Sequence, residues 1–91
     1  MSKNSTYFDF PELRKTWERL KKENKEALLL MRIDDYYYLF EEDAEKASPI
    51  LGLDSFPFFA RACSFHHSRL DVYLPKLLRA GHRVGIYDYA L

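Results

Sequence analysis

Hydrophobic and polar positions alternate in three distinct rhythms along the chain. Over residues 11–24 the apolar side chains Leu13, Trp17 and Leu20 recur at i, i+4 and i+7 among charged residues, the signature of a helix with one buried stripe. Pro11 suits the first turn, where its missing N–H is no loss, with Asp9 placed to cap it and Asn24 to stop the helix. Residues 27–33 (Ala-Leu-Leu-Leu-Met-Arg-Ile) are too short and too uniformly apolar for a surface helix, and predict a buried strand. Asp34-Asp35 then reads as a turn, because Asp side chains bond nearby backbone and tolerate turn geometry. Residues 36–40 follow as an aromatic strand. Strand geometry puts Tyr36, Tyr38 and Phe40 on one face and Tyr37 and Leu39 on the other.

A second helix is expected over residues 41–51. Glu41, Glu42 and Asp43 would complement its dipole in the first turn, Pro49 would shorten it, and Gly52 would end it. Around Pro57 the chain is rich in Phe, and a loop followed by a strand over 59–65 is the expectation. Residues 69–80 carry Leu70, Tyr73, Leu74, Leu77 and Leu78 at i, i+3, i+4, i+7 and i+8, a full helical stripe. Ser68 and Asp71 resemble a capping box there, and Gly81 is a natural stop. Pro75 conflicts with that pattern; it should bend the helix or move its start toward Asp71. Residues 83–89 read as a last strand. The order helix, strand, strand, helix, strand, helix, strand predicts an α/β fold, a mixed β-sheet flanked by helices, in a single small domain. Residues 1–10 are expected to be an N-terminal tail and residues 11–91 the domain.

Composition supports a packed domain. Of 91 residues, 47% are hydrophobic and 16% aromatic, more than a disordered chain carries. Large rings also let a thin core bury much area per residue. There is one cysteine, so no intramolecular disulfide can form, and no secretory apolar stretch opens the sequence. A reducing cytoplasmic location is the expectation. The longest aliphatic run, residues 27–31, falls far short of the ~20 residues of a spanning helix, so no membrane role is expected.

Charge sums to zero, 14 basic against 14 acidic, but unevenly. Residues 34–46 hold six acidic groups and one basic, whereas residues 61–83 hold five basic and one acidic. Neutrality argues against strong non-specific nucleic-acid binding, which draws on excess Lys and Arg, yet leaves room for a local basic face.

Candidate chemistry is sparse. Cys63, His66 and His67 could form a nucleophile–base pair or part of a metal site, but no second Cys/His pair accompanies them and a strand would point His66 away from Cys63. Cys63 reads better as a small buried hydrophobe. Asp34 and Asp35 are explained by a turn rather than by acid/base work. The three glycines are too scattered to cradle a phosphate, so neither a nucleotide nor any other cofactor is expected, and no enzyme activity. The run Tyr36-Tyr37-Tyr38 is more unusual. Exposed rings on a hairpin can stack on bases, at about 1–3 kcal/mol per base; equally, one face can be core and the other mere sheet cover. Arg61, Arg69, Lys76 and Arg79 are candidates for phosphate contact, or for a solvated helix face.

The order of short fragments resembles the N-terminal, mismatch-recognising domain of the MutS DNA mismatch-repair family. Leu28-Leu29-Leu30-Met31-Arg32-Ile33 stands where that family has an apolar strand ending in Arg-Met-Gly-Asp. Residues 35–44 are similar to its Asp-Phe-Tyr-Glu-Leu-Phe, spacer and Asp-Ala. Phe65-His66 is similar to its Tyr-His, residues 73–81 to its Tyr-Leu-Ala-Lys-Leu-Leu-x-x-Gly, and residues 84–89 to its Val-Ala-Ile-Cys-Glu-Gln. No single fragment is specific; five in order are. In that family the Phe of a Phe-x-Glu motif stacks on a mispaired base and the Glu hydrogen-bonds to it. Position by position the Phe is Tyr36, the Glu is Tyr38, and the Gly before the Asp is Asp34.

The resemblance implies a DNA-binding module in which Tyr36 is a wedge and Tyr38 its polar neighbour, with mispaired or distorted duplex DNA as partner. With no Walker-type loop in the sequence, a recognition domain without the family's ATP-driven motor and clamp is expected, and the acidic stretch over residues 34–45, where the resemblance puts the reading tip, predicts weak, salt-sensitive binding. The alternative is a protein-interaction module of a DNA-processing assembly that has lost mismatch reading and docks onto a larger DNA-processing protein through its aromatic surface.

Overall fold

The computed structural model describes residues 10–89; residues 1–9, 90 and 91, and with them the Asp9 cap and most of the expected tail, lie outside the described residues. The chain runs α1 (Phe10–Glu23), β1 (Ala27–Ile33), β2 (Tyr36–Phe40), α2 (Glu42–Leu51), β3 (Phe56–Pro57), β4 (Arg61–His66), a 3-10 turn (His67–Arg69), α3 (Leu70–Arg79) and β5 (Arg83–Tyr89). Five strands form one sheet in the order β3-β4-β2-β1-β5. β5 is parallel to β1, and the β1–β2, β2–β4 and β3–β4 pairs are antiparallel, which makes the sheet mixed.

Three layers follow from where the apolar residues point. β1 is buried on both faces, as its uninterrupted apolar run requires. On one face Leu28 and Leu30 join Tyr37, Leu39, Cys63 and Phe65 against α2 and α3, through Ala44, Ala47, Leu51 and Leu77. On the other face Leu29, Met31, Ile33 and Phe40 meet Leu13 of α1, with Trp17 and Leu20 packed alongside. Asn24 ends α1, and its side-chain amide donates to the carbonyl of Leu20 at 3.0 Å.

Four local expectations are corrected. α2 begins at Glu42 rather than Glu41, because Glu41 takes φ 55°, ψ −127°, outside any helical conformation. Pro49 does not shorten α2, which continues to Leu51, where burial of Ala47 and Leu51 holds the last turn to the sheet. The strand expected over 59–65 is β4 at Arg61–His66, preceded by the short β3, because the Phe58–Ala60 segment turns back on itself, with Phe58 N–H donating to Ala60 O. The capping box at Ser68 does not form: the Ser68 hydroxyl lies 2.8 Å from His66 Nδ1, and Arg69 makes no side-chain cap bond. Pro75 lies inside α3, and the α-helical part starts at Leu70, beside Asp71 and after the 3-10 turn, as one of the two expectations for Pro75 had it; the residue whose carbonyl loses a partner, Asp71, is exposed to water. The stripe of that helix also ends at Leu77. Leu78 is 51% exposed, as is Ile86 on the neighbouring edge strand β5.

Candidate nucleic-acid interface

The β1–β2 hairpin places the tyrosine run. Ile33 pairs with Tyr36, so Asp34 and Asp35 form a two-residue connection, and Asp34 takes φ 60°. That left-handed conformation suits Gly, Asn or Asp, which explains why an Asp can stand there. β2 pairs with β4 on its other side, which sets Tyr36 opposite His66, Tyr37 opposite Phe65 and Tyr38 opposite Ser64.

The three tyrosines thereby acquire three environments. Tyr37 is 8% exposed and its ring lies 5.7 Å from that of Phe65, so it is core. Tyr38 sits in an aromatic stack. Its ring is parallel to Phe40 at 5.8 Å and 7°, with Phe58 at 5.3 Å and Phe56 at 6.4 Å. Burial pushes the Tyr38 phenol above its ordinary value, and the neighbouring Tyr36 and Asp34 push the same way. Its hydroxyl is therefore a neutral donor and acceptor at neutral pH, never an anionic acceptor. Tyr36 is 44% exposed at the end of the hairpin, its ring edge-to-face with the His66 imidazole at 5.4 Å and 81°.

The cations are distributed rather than gathered. Arg61 lies at the far end of β4, five residues or about 17 Å from the level of His66 and Tyr36. Its guanidinium is 3.8 Å from Glu45 and donates to Ser55 Oγ at 2.9 Å. Arg69 and Lys76 both sit over the ring of Tyr73, at 5.8 and 5.7 Å, in the layer across the sheet from α1. Arg79 is exposed in the last turn of α3. Of the four, Arg69 is nearest along the chain to His66, the cross-strand partner of Tyr36, three residues after it. Arg32 adds a cation at that tip, where its Nε donates to the carbonyl of Asp34 at 3.0 Å.

Other candidate chemistry is placed as follows. Cys63 is fully buried on the α2/α3 face, whereas His66 is exposed at the strand end. Burial pushes the Cys63 thiol up, and the Ser48 hydroxyl offsets part of this. Among the described residues no group of three His, Cys, Asp or Glu is placed to hold a metal ion. No helix among them is long and apolar enough to cross a membrane. Sequence reasoning missed the partnership of Tyr36 with His66; the signal was there in the antiparallel pairing of β2 with β4, which needs the register before it can be read.

An exposed ring at a hairpin tip, an aromatic stack behind it and a mixed sheet of this order can be compared with known proteins. The sequence matches the family described as MutS domain I over residues 12–90, nearly the whole chain. The chain belongs to the MutS domain I family. It is 42% identical over 82 residues to the DNA mismatch repair protein MutS of Porphyromonas gingivalis, covering 84% of this chain and 9% of that protein. Identity is 38% over 82 residues with MutS of Flavobacterium psychrophilum, covering 84% of this chain and 10% of that protein. With MutS of Cytophaga hutchinsonii it is 40% over 80 residues, covering 81% and 9%. The chain thus spans about a tenth of the length of the curated MutS relatives it matches. Within MutS domain I, the α1–β1–β2 unit described above is the part that presents Tyr36.

Proposed function

We propose that this MutS domain I binds DNA and senses mispaired or distorted steps by inserting the Tyr36 ring. The observation that carries the reading is the exposure of Tyr36 at a hairpin tip while the adjacent Tyr37 is core. An aromatic wedge entering a base step gains stacking on one side and opens the step on the other. A mispaired or bulged step is already weakened, so opening it takes less free energy than opening a paired one. Tyr38 stands beside the wedge as a neutral hydroxyl held in its aromatic stack. Arg32 and Arg69, with Lys76, Arg79 and Arg61 more distant, supply positive charge for phosphates. Asp34 and Asp35 at the tip oppose it, and binding is accordingly weak and sensitive to salt.

Titration of the chain against homoduplex and single-mismatch duplex, at low and moderate salt and with Tyr36→Ala beside it, tests the reading. Preference for the mismatch that vanishes in Tyr36→Ala supports it. Equal affinity for both duplexes, unaffected by Tyr36→Ala, rejects it.

A second reading has its own observation. Leu78 and Ile86 are both half-exposed in the α3–β5 layer, away from Tyr36. An apolar surface there suits a protein partner, such as a larger DNA-processing protein, and makes the domain an interaction module. Leu78→Asp would abolish that association and leave DNA binding unchanged.

A further inference from the structure

The Tyr36 ring does not stand alone at the tip. Its cross-strand partner His66 presents an imidazole at 5.4 Å, edge to face. That imidazole is itself held. Its Nδ1 accepts the Ser68 backbone N–H at 3.2 Å and lies 2.8 Å from Ser68 Oγ. The same turn is tied to the hairpin connection, because His67 N–H donates to Asp35 O at 2.8 Å. The His67 ring also packs on His66, at 4.5 Å and 32°. Tyr36, His66 and His67 therefore form a short series of rings whose middle member, His66, is held by the Ser68 N–H, on a turn that the His67 N–H ties to Asp35 O.

We propose that His66, locked by Ser68, is a positioning residue that sets how the Tyr36 ring is presented. This deepens the DNA reading above and rests on it. A half-exposed tyrosine at a strand end has several rotamers open to it, and ordering such a side chain on binding costs free energy. An edge-to-face partner with a fixed ring plane narrows those choices before any ligand arrives. The imidazole can do this because Nδ1 is an acceptor for a backbone donor, which leaves the proton of the neutral ring on Nε2 and holds one ring orientation. Phe in place of His66 would keep the ring contact and lose the bonds to Ser68. Ala would lose both.

Two measurements on the 91-residue chain test this. The first needs no DNA: proton NMR of the Tyr36 ring. In His66→Ala the ring loses the shift imparted by the imidazole; in Ser68→Ala, a surface change that leaves the core untouched, its resonances move part of the way; in His66→Phe the ring current persists. Unchanged Tyr36 resonances in His66→Ala overturn the proposal. The second is affinity for a mispaired duplex. His66→Ala raises Kd by about threefold to tenfold, the range an aromatic pair supports. In a Tyr36→Ala background the same change has no further effect; independent, additive losses overturn the proposal. A wild-type chain that shows the NMR coupling but no mismatch preference rejects the DNA reading and leaves the positioning of Tyr36 standing.

Discussion

Lys21 Nζ lies 3.0 Å from both carboxylate oxygens of Asp43, and Asp43 Oδ2 also accepts the backbone N–H of Leu29 at 3.0 Å. One carboxylate thereby ties α1, the first turn of α2 and the inner strand β1 together. Lys21 completes the knot by donating to the carbonyl of Ala27 at 2.6 Å. Asp43 is 3% exposed, so its charge is held away from solvent. Removing one partner of a buried pair strands the other, and Asp43→Ala also leaves a strand N–H without an acceptor. The expected loss is about 3 kcal/mol in denaturant unfolding, at the low end of the buried-pair range because Lys21 retains some access to water. Added salt should change the loss little.

That pair also shows what could and could not be read in advance. The acidic residues of α2 were visible as helix-dipole partners, but the inward turn of Asp43 depends on α1 lying across β1. Element types along the chain were largely legible, because residues 28–31 are a short unbroken apolar run and the stripe through Leu13 and Trp17 carries helical periodicity. Pro49 and Ser68 depart from the local rules, because tertiary burial and the His66 side chain override them. For the candidate site, the exposure of Tyr36 against the burial of Tyr37 follows from strand alternation, yet which face stays open at the tip depends on how the helices lie across the sheet. Distribution of Arg61, Arg69, Lys76 and Arg79 over two ends and two layers was not legible, since it depends on how β4 and α3 pack.

Tyr36 and Tyr37 should separate function from stability. Tyr37→Ala removes a core ring packed on Phe65 and is expected to destabilise by about 3–5 kcal/mol. Tyr36→Ala should change stability by no more than about 1 kcal/mol, the loss of one aromatic pair at a half-exposed site. Thermal and denaturant melts of the two variants check this.

Two backbone positions carry positive φ without glycine, Asp34 at 60° and Glu41 at 55°. Glu41 is the more strained, because its ψ of −127° falls in a region that glycine alone adopts readily. Glu41→Gly should stabilise the chain by about 1 kcal/mol, measured as a shift of the denaturant midpoint at constant slope. Asp34→Gly should gain less, since Asp tolerates this conformation, but it removes a negative charge from the tip and should raise DNA affinity most at low salt.

Cys63 makes stability depend on alkaline pH. Burial raises its thiol in the folded chain, so the unfolded chain gives up the proton first. The contribution is complete below about pH 8.5, the ordinary thiol value, and is lost as pH rises past it. Cys63→Ala should flatten that alkaline slope in melts between pH 8 and 10, pH values chosen to span the ordinary thiol range. In the folded chain at neutral pH, Cys63 should also resist alkylation, and react once denaturant is added.

Stacking at Tyr36 is most directly seen from the DNA side. A duplex carrying 2-aminopurine at a mispair reports insertion of a ring through its fluorescence. The account predicts a fluorescence change on adding the chain that is absent with Tyr36→Ala and much smaller when the 2-aminopurine is correctly paired. The same change with Tyr36→Ala, or an equal one at paired and mispaired sites, would contradict it.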